Sequence, residues 1–196
     1  MARTKEFDPE AALQAALELF WRRGYEATSM SDLVDHLGIG RASIYATFGN
    51  KHELYLKALE RYDRAGLPPI VRELSRPGPA LPGVRALVRR YAAEAADARL
   101  RVNGCMVTNT ASELAPHDPA AARHVERNWD QLEAVLHSAL VRAEAQGELP
   151  AGRDPLTLAR MLLVLLQGLR VVGKASADPS RVRDAAEQAL ALLAGD

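Results

Sequence analysis

Two short helical segments joined by a glycine turn, between residues 29 and 48, constrain this chain more than any other feature. The first opens at Ser29, with Asp32 three residues on, a capping box with Asp in place of the usual Glu. Leu33, Val34 and Leu37 give it a buried face, and Gly38 ends it after barely two turns. Gly38 lets the backbone reverse without a Cβ penalty, as the connector Gly38-Ile39-Gly40 requires. A second short helix, 41–48, follows at once and is broken by Gly49-Asn50. Leu33, Leu37, Ile39 and Ile44 are the apolar residues that lock the two at a fixed angle. This is the pattern of a helix-turn-helix, whose second helix enters a major groove with its N-terminus leading. No acidic residue stands between His36 and His52, whereas Arg41 and Lys51 both do, so the reading surface is locally positive, as phosphate contact requires.

That local charge sits in a neutral chain, with 25 Lys and Arg against 25 Asp and Glu over 196 residues. A protein that coats nucleic acid by bulk charge would be basic. Histone-like binding is therefore excluded, and a local reading head is not. The apolar share of 48% and charged share of 26% are those of a globular protein rather than a disordered one. A single cysteine, Cys105, excludes a framework of intramolecular disulfides. No segment reaches the ~18 consecutive apolar residues that span a bilayer, and residues 1–10 carry acids without an apolar signal core. No membrane partner is expected, and the expected location is the cytoplasm.

Helix punctuation organises the rest. Asp8 and Pro9 start a first helix that Gly24 stops. Asn50 and Glu53 form a second capping box for a fourth helix, from residue 51 to about 65. Five of the eleven prolines fall between Pro68 and Pro82, which predicts an interruption with only a short turn at 70–74. Helices are then expected at 83–98, 105–115, 119 to about 146, 154–174 and from Asp178-Pro179 to 194, several opened by Asp-Pro. No stretch alternates as a half-buried strand does. Eight of the ten aromatic residues precede residue 63, and the remainder is rich in Ala and Leu. The expectation is an all-α chain, with a compact helix-turn-helix head at 1–50 and a helical ligand-binding and dimerisation body at 51–196.

The head resembles the TetR/AcrR-type transcriptional regulators. The resemblance rests on Phe20, Gly24, Tyr25, Thr28-Ser29-Met30, Asp32-Leu33, Gly38-Ile39-Gly40-Arg41, Ser43-Ile44-Tyr45, Phe48-Gly49-Asn50-Lys51 and Leu54. It spans about residues 8–60. The body resembles one branch of that family through Gly104-Cys105, Asn109-Thr110, Glu113-Leu114-Ala115, His117-Asp118-Pro119, Gly147-Glu148-Leu149 and Gln167-Gly168-Leu169. The resemblance implies a homodimer, acting as a repressor, that leaves its operator when a small molecule enters the body. Two recognition helices on a two-fold dimer would read an inverted repeat in double-stranded DNA. Val34, Gly40 and Ala46 depart from the family pattern. Base readout is therefore expected to rest on Arg41, Ala42, Ser43 and Thr47, with Tyr45 and Lys51 on phosphates.

In the body, Cys105 stands where a helix is expected to begin, and a helix N-terminus favours the thiolate that a sensor of electrophiles needs. A plain pocket-lining cysteine is the simpler reading. Asn109, four residues on, shares its face, and Trp129 is the third candidate for a pocket wall. The expected effector is small and mainly apolar, because no cluster of bases is present. His117, His124 and His137 lack a tight ligand pair, so no metal is expected. No nucleophile motif surrounds any serine and no glycine loop cradles phosphate, so neither catalysis nor a cofactor is expected. The helix at 154–174 is apolar on nearly all sides in its middle and has Gly168 in its interior, at ~1 kcal/mol relative to Ala. A partner subunit covering Leu165, Gly168 and Leu169 would account for both. Val34, Gly40 and Ala46 leave open a sensor that does not bind DNA, and an enzyme using Cys105 would lack a paired base.

Overall fold

The computed structural model describes residues 7–194, which form nine helices and no strand among them. Part of the N-terminal stretch read above for a signal core lies outside these residues. Helices α1 (Pro9–Arg23), α2 (Met30–Leu37) and α3 (Arg41–Phe48) lead into α4 (Lys51–Leu74). Then follow α5 (Leu81–Ala96), α6 (Met106–Glu113), α7 (Pro119–Ala145), α8 (Pro155–Ala175) and α9 (Ser180–Ala194). The side chains of Asp8, Ser29, Asn50, Asp118 and Asp154 each accept a backbone N–H of the helix they precede. Each start therefore satisfies donors that a bare helix end leaves open.

The interruption predicted after residue 65 does not occur. Helix α4 runs on through Pro68 and Pro69 to Leu74. Two prolines remove two helical donors, at a local cost of several kcal/mol. Packing overrides that cost, because Leu67, Ile70 and Leu74 are held in the core formed with α5, α7 and α8. The unbroken helix thus reaches from the head into the body. Helix α6 is also shorter than expected, with Cys105 as its N-cap residue rather than in its first turn.

Buried residues gather in two clusters. One joins Leu17 and Phe20 of α1, Leu33 of α2, Ile44 and Phe48 of α3, and Leu54, Tyr55, Ala58 and Leu59 of α4 with Met106 and Val107 of α6. Within it Phe20 meets Tyr55 edge to face at 5.0 Å, and Tyr55 meets Tyr25 at the same distance. Each such pair adds roughly 0.5–1.5 kcal/mol beyond burial, which matters in so small a core. The second cluster joins the end of α4 with α5, α7, α8 and α9. An 18-residue window of α8 has a mean hydropathy of 1.6, so length and composition alone would let the helix cross a membrane. It instead packs on α5, α7 and α9 through Leu162, Leu166 and Leu169, and it carries Arg160, Gln167 and Arg170.

Candidate nucleic-acid interface and body cavity

The head is built to hold α3 outward. Ser29 and Asp32 close their capping box, with the Asp32 N–H donating to Ser29 Oγ at 3.1 Å and the Ser29 N–H to Asp32 Oδ2 at 2.9 Å. The Ser29 hydroxyl and amide, with Arg23 at 2.7 Å, lower the Asp32 carboxyl to about 2. Gly38 takes φ 66° and ψ 23°, the left-handed conformation the turn needs, and its N–H caps Val34 O. Leu33, Ile44 and Phe48 are buried behind the turn. Opposite them Arg41, Ala42, Tyr45, Ala46 and Thr47 are exposed, with Ser43 half-buried. Gly40 caps α3 without a side chain, and no acid occupies its first turn. The amides of Arg41 and Ala42 therefore have no intrahelical acceptor and face an uncompensated helix dipole, a geometry suited to a phosphate.

Lys51, expected on a phosphate, also makes contacts within the head. Its Nζ donates to Tyr25 O and Thr28 O, both at 2.9 Å, and lies 4.1 Å from the Tyr25 ring centroid. Two of its three donors thus fasten the α1–α2 turn onto α4. Body helices hold the same turn. Glu113 at the end of α6 accepts the N–H groups of Tyr25 at 3.2 Å and Glu26 at 2.9 Å. Trp21 of α1 donates to Gly104 O at 3.0 Å. His52 pairs with Asp118, whose other oxygen caps α7 at Ala120 and Ala121. Burial alone would raise the Asp118 carboxyl, but the Ala121 amide, His52 and the Ala120 amide outweigh it and hold it low.

The body holds a partly open cavity of about 300 Å³ between α4, α5, α7, α8 and the start of α6. Cys105 is in its wall, with the Tyr62 hydroxyl beside the thiol. Burial pushes the Tyr62 phenol up. Asn109 and Trp129 are not in that wall. The Asn109 amide donates to Asn103 O at 2.9 Å and accepts from Lys174 at 3.2 Å, and Trp129 packs against the head core. The wall is more polar than the sequence suggests. Arg170 stacks 4.3 Å from the Tyr91 ring centroid and pairs with Glu94 at 2.9 Å. Asp63 accepts from His124 at 2.5 Å and Asn128 at 3.0 Å. Gln167 accepts the Thr108 hydroxyl at 2.7 Å. Nothing in local sequence marked Arg170 for this place, and Glu113 and Gln167 stood out only through the family resemblance, because the partners of all three lie on other helices.

The residues expected at a subunit face differ in exposure. Leu169 is 3% exposed, inside the protomer's own core. Leu165 is half-buried and Gly168 is exposed. The outward apolar residues of α8 are Val164, 71% exposed, with Val171 and Val172, and Leu192 of α9 is exposed as well. The expected apolar periodicity was present, but a helix apolar on several sides does not tell which side the core takes.

A helix-turn-helix displayed on a helical body defines a class of DNA-binding transcriptional regulators. Residues 12–58 match the profile of bacterial regulatory proteins of the tetR family, and residues 80–189 match the tetracyclin repressor-like C-terminal domain. The chain belongs to the TetR family. It is 37% identical to the uncharacterized HTH-type transcriptional regulator YezE of Bacillus subtilis strain 168, over 98% of this chain and 100% of that one. It is 30% identical to the HTH-type transcriptional repressor ComR of Escherichia coli K12, over 97% of this chain and 90% of that one. A cysteine mutant of the TetR family transcriptional regulator CifR, complexed with 26-bp double-strand operator DNA, superposes with a TM-score of 0.82 at 29% identity. That match covers 96% of this chain and 98% of CifR.

Proposed function

We propose that this chain is a homodimeric repressor that binds an inverted-repeat operator and leaves it when a small molecule fills the body cavity. The observation that carries the reading is the outward face of α3, free of acids and capped only by Gly40, held rigid by the buried Leu33, Ile44 and Phe48. Arg41, Ala42, Ser43 and Thr47 read the groove and Tyr45 contacts phosphate, with the remaining Lys51 donor beside it. The head comprises 1–50 and the effector and dimerisation body 51–196, with α4 as the shared link. Val164, Leu165 and Gly168 of α8, with Leu192, form the seam between subunits, since exposed apolar surface of this kind marks interaction sites. The protein works in the cytoplasm, where the operator is.

Release follows from linkage. A ligand that prefers the conformation with spread heads lowers operator affinity by its differential affinity for the two states. The position of Cys105 in the wall beside Tyr62 favours an effector with an electrophilic centre. The decisive experiment is a gel shift and footprint on DNA flanking the gene. Protection with two-fold symmetry is expected, and a footprint without inverted symmetry rejects the dimer on a palindrome. Cys105→Ser separates the two kinds of effector, by abolishing release by electrophiles while leaving operator affinity nearly intact.

A further inference from the structure

The cavity wall has a surplus of hydrogen-bond donors on α8. The Arg170 Nε is buried and has no acceptor among the described residues. Its guanidinium is otherwise committed, with Nη2 on Glu94 at 2.9 Å and its carbon over the Tyr91 ring. Three residues earlier, on the same face of the helix, Gln167 spends its carbonyl oxygen on Thr108 at 2.7 Å and lines the same cavity, so its amide is a second donor on that face. An unmade bond of a buried donor costs about 1–3 kcal/mol, so a ligand that supplies an acceptor to Arg170 Nε recovers a desolvation cost that this side chain carries.

The acceptors in the wall are already engaged. Asp63 takes hydrogen bonds from His124 and Asn128, and Glu94 takes one from Arg170. The charges also cancel, with Asp63 and Glu94 in the wall against Arg90 and Arg170. Arg90 moreover pairs with Glu73. An ionic ligand would leave a net charge in a partly desolvated site, which is costly. A ligand amine would compete for carboxylates already in use. The volume equals roughly that of ten liquid waters, which limits the ligand to a compact molecule.

Resting on the effector reading above, we infer that this cavity selects a small uncharged organic molecule bearing a carbonyl oxygen, which docks on Arg170 Nε and the Gln167 amide. The carbon body lies against Tyr62, Tyr91 and Val107, where Cys105 is within the same wall. Binding itself is non-covalent. It requires no reaction at the thiol.

The test uses purified full-length chain and four unreactive probes of matched size: acetophenone, cumene, benzoate and 1-phenylethylammonium, titrated by ligand-observed NMR. Acetophenone is expected to bind at least ~10-fold more tightly than cumene, which lacks the acceptor, and more tightly than either ion. Gln167→Glu keeps an acceptor for Thr108 but removes the amide donor, and should lower the ratio of acetophenone to cumene affinity. Arg170→Lys, which keeps the charge and loses Nε, should lower the same ratio. Benzoate or the ammonium binding tightest overturns the inference, as does equal binding of acetophenone and cumene to the wild type. So does failure of all four probes to bind while the ligand-free chain still holds its operator. Loss of operator binding with the probe ranking intact would overturn the repressor reading instead.

Discussion

The Glu113 carboxylate at the end of α6 accepts the backbone N–H of Tyr25 at 3.2 Å, joining two residues 88 positions apart. Its second oxygen takes the N–H of Glu26 at 2.9 Å. One side chain of the body thus fixes the turn that leads into α2, and Cys105, the N-cap residue of α6, is in the cavity wall. A shift of α6 caused by a ligand would therefore be felt directly at the head. Glu113→Ala should cost about 1–3 kcal/mol, the usual value of hydrogen bonds to a charged acceptor with donors left unpaired. Denaturant unfolding measures the loss. Hydrogen exchange at Tyr25 and Glu26 should accelerate before any global change, and unchanged protection there would disprove the tether.

Tyr55 Oη of α4 lies 2.8 Å from Thr110 Oγ1 of α6, fully enclosed. Burial pushes the Tyr55 phenol up to about 12, against a lowering by the Thr110 hydrogen bond. A raised folded-state value stabilises the fold below the unfolded value of about 10 and loses that contribution as pH climbs from 10 to 12. Tyr55→Phe should cost roughly 0.5–1.5 kcal/mol near neutrality. The gap between variant and wild type should narrow above pH 10, because only the wild type must ionise this group. Urea midpoints of both proteins from pH 7 to 11 provide the check.

Arg41 and Lys51 should separate binding from folding. Arg41 is exposed on the reading face. Arg41→Ala should weaken operator binding by ~1–3 kcal/mol if it reads a base and leave stability within ~0.5 kcal/mol. Lys51 holds Tyr25 O and Thr28 O. Lys51→Met should lower head stability by about 1–3 kcal/mol before any effect on DNA is counted. Fluorescence anisotropy on labelled operator, paired with thermal melts, distinguishes the two. A stable Lys51→Met protein with lost binding would return Lys51 to the phosphate.

Two substitutions on α8 should behave oppositely. Val164 is 71% exposed and Leu169 3%. Val164→Glu places a charge in the proposed seam, and should yield a folded monomer that sediments at half the mass and binds DNA poorly. Leu169→Glu buries an unpaired charge in the protomer core and should fail to fold at all. A dimer unaffected by Val164→Glu would move the seam elsewhere.

Much of the head could be read from sequence alone, because its determinants are local. A capping box needs residues three apart, a left-handed turn needs Gly38 in place, and an acid-free reading face is a run of neighbours. The starts at Asp8, Ser29, Asn50, Asp118 and Asp154 and the helical class were legible for the same reason. The tertiary structure decided what depends on partners far along the chain. It carried α4 through Pro68 and Pro69, where packing outweighs propensity. It turned Leu169 inward and Val164 outward, a choice that periodicity cannot make on a helix apolar on several sides. It spent Lys51 and Asn109 on carbonyls and an ammonium that no local pattern announces, and it brought Gln167 and Arg170 into one wall with Cys105. Spacing fixes which atoms a helix end offers, whereas only the packed chain fixes what meets them.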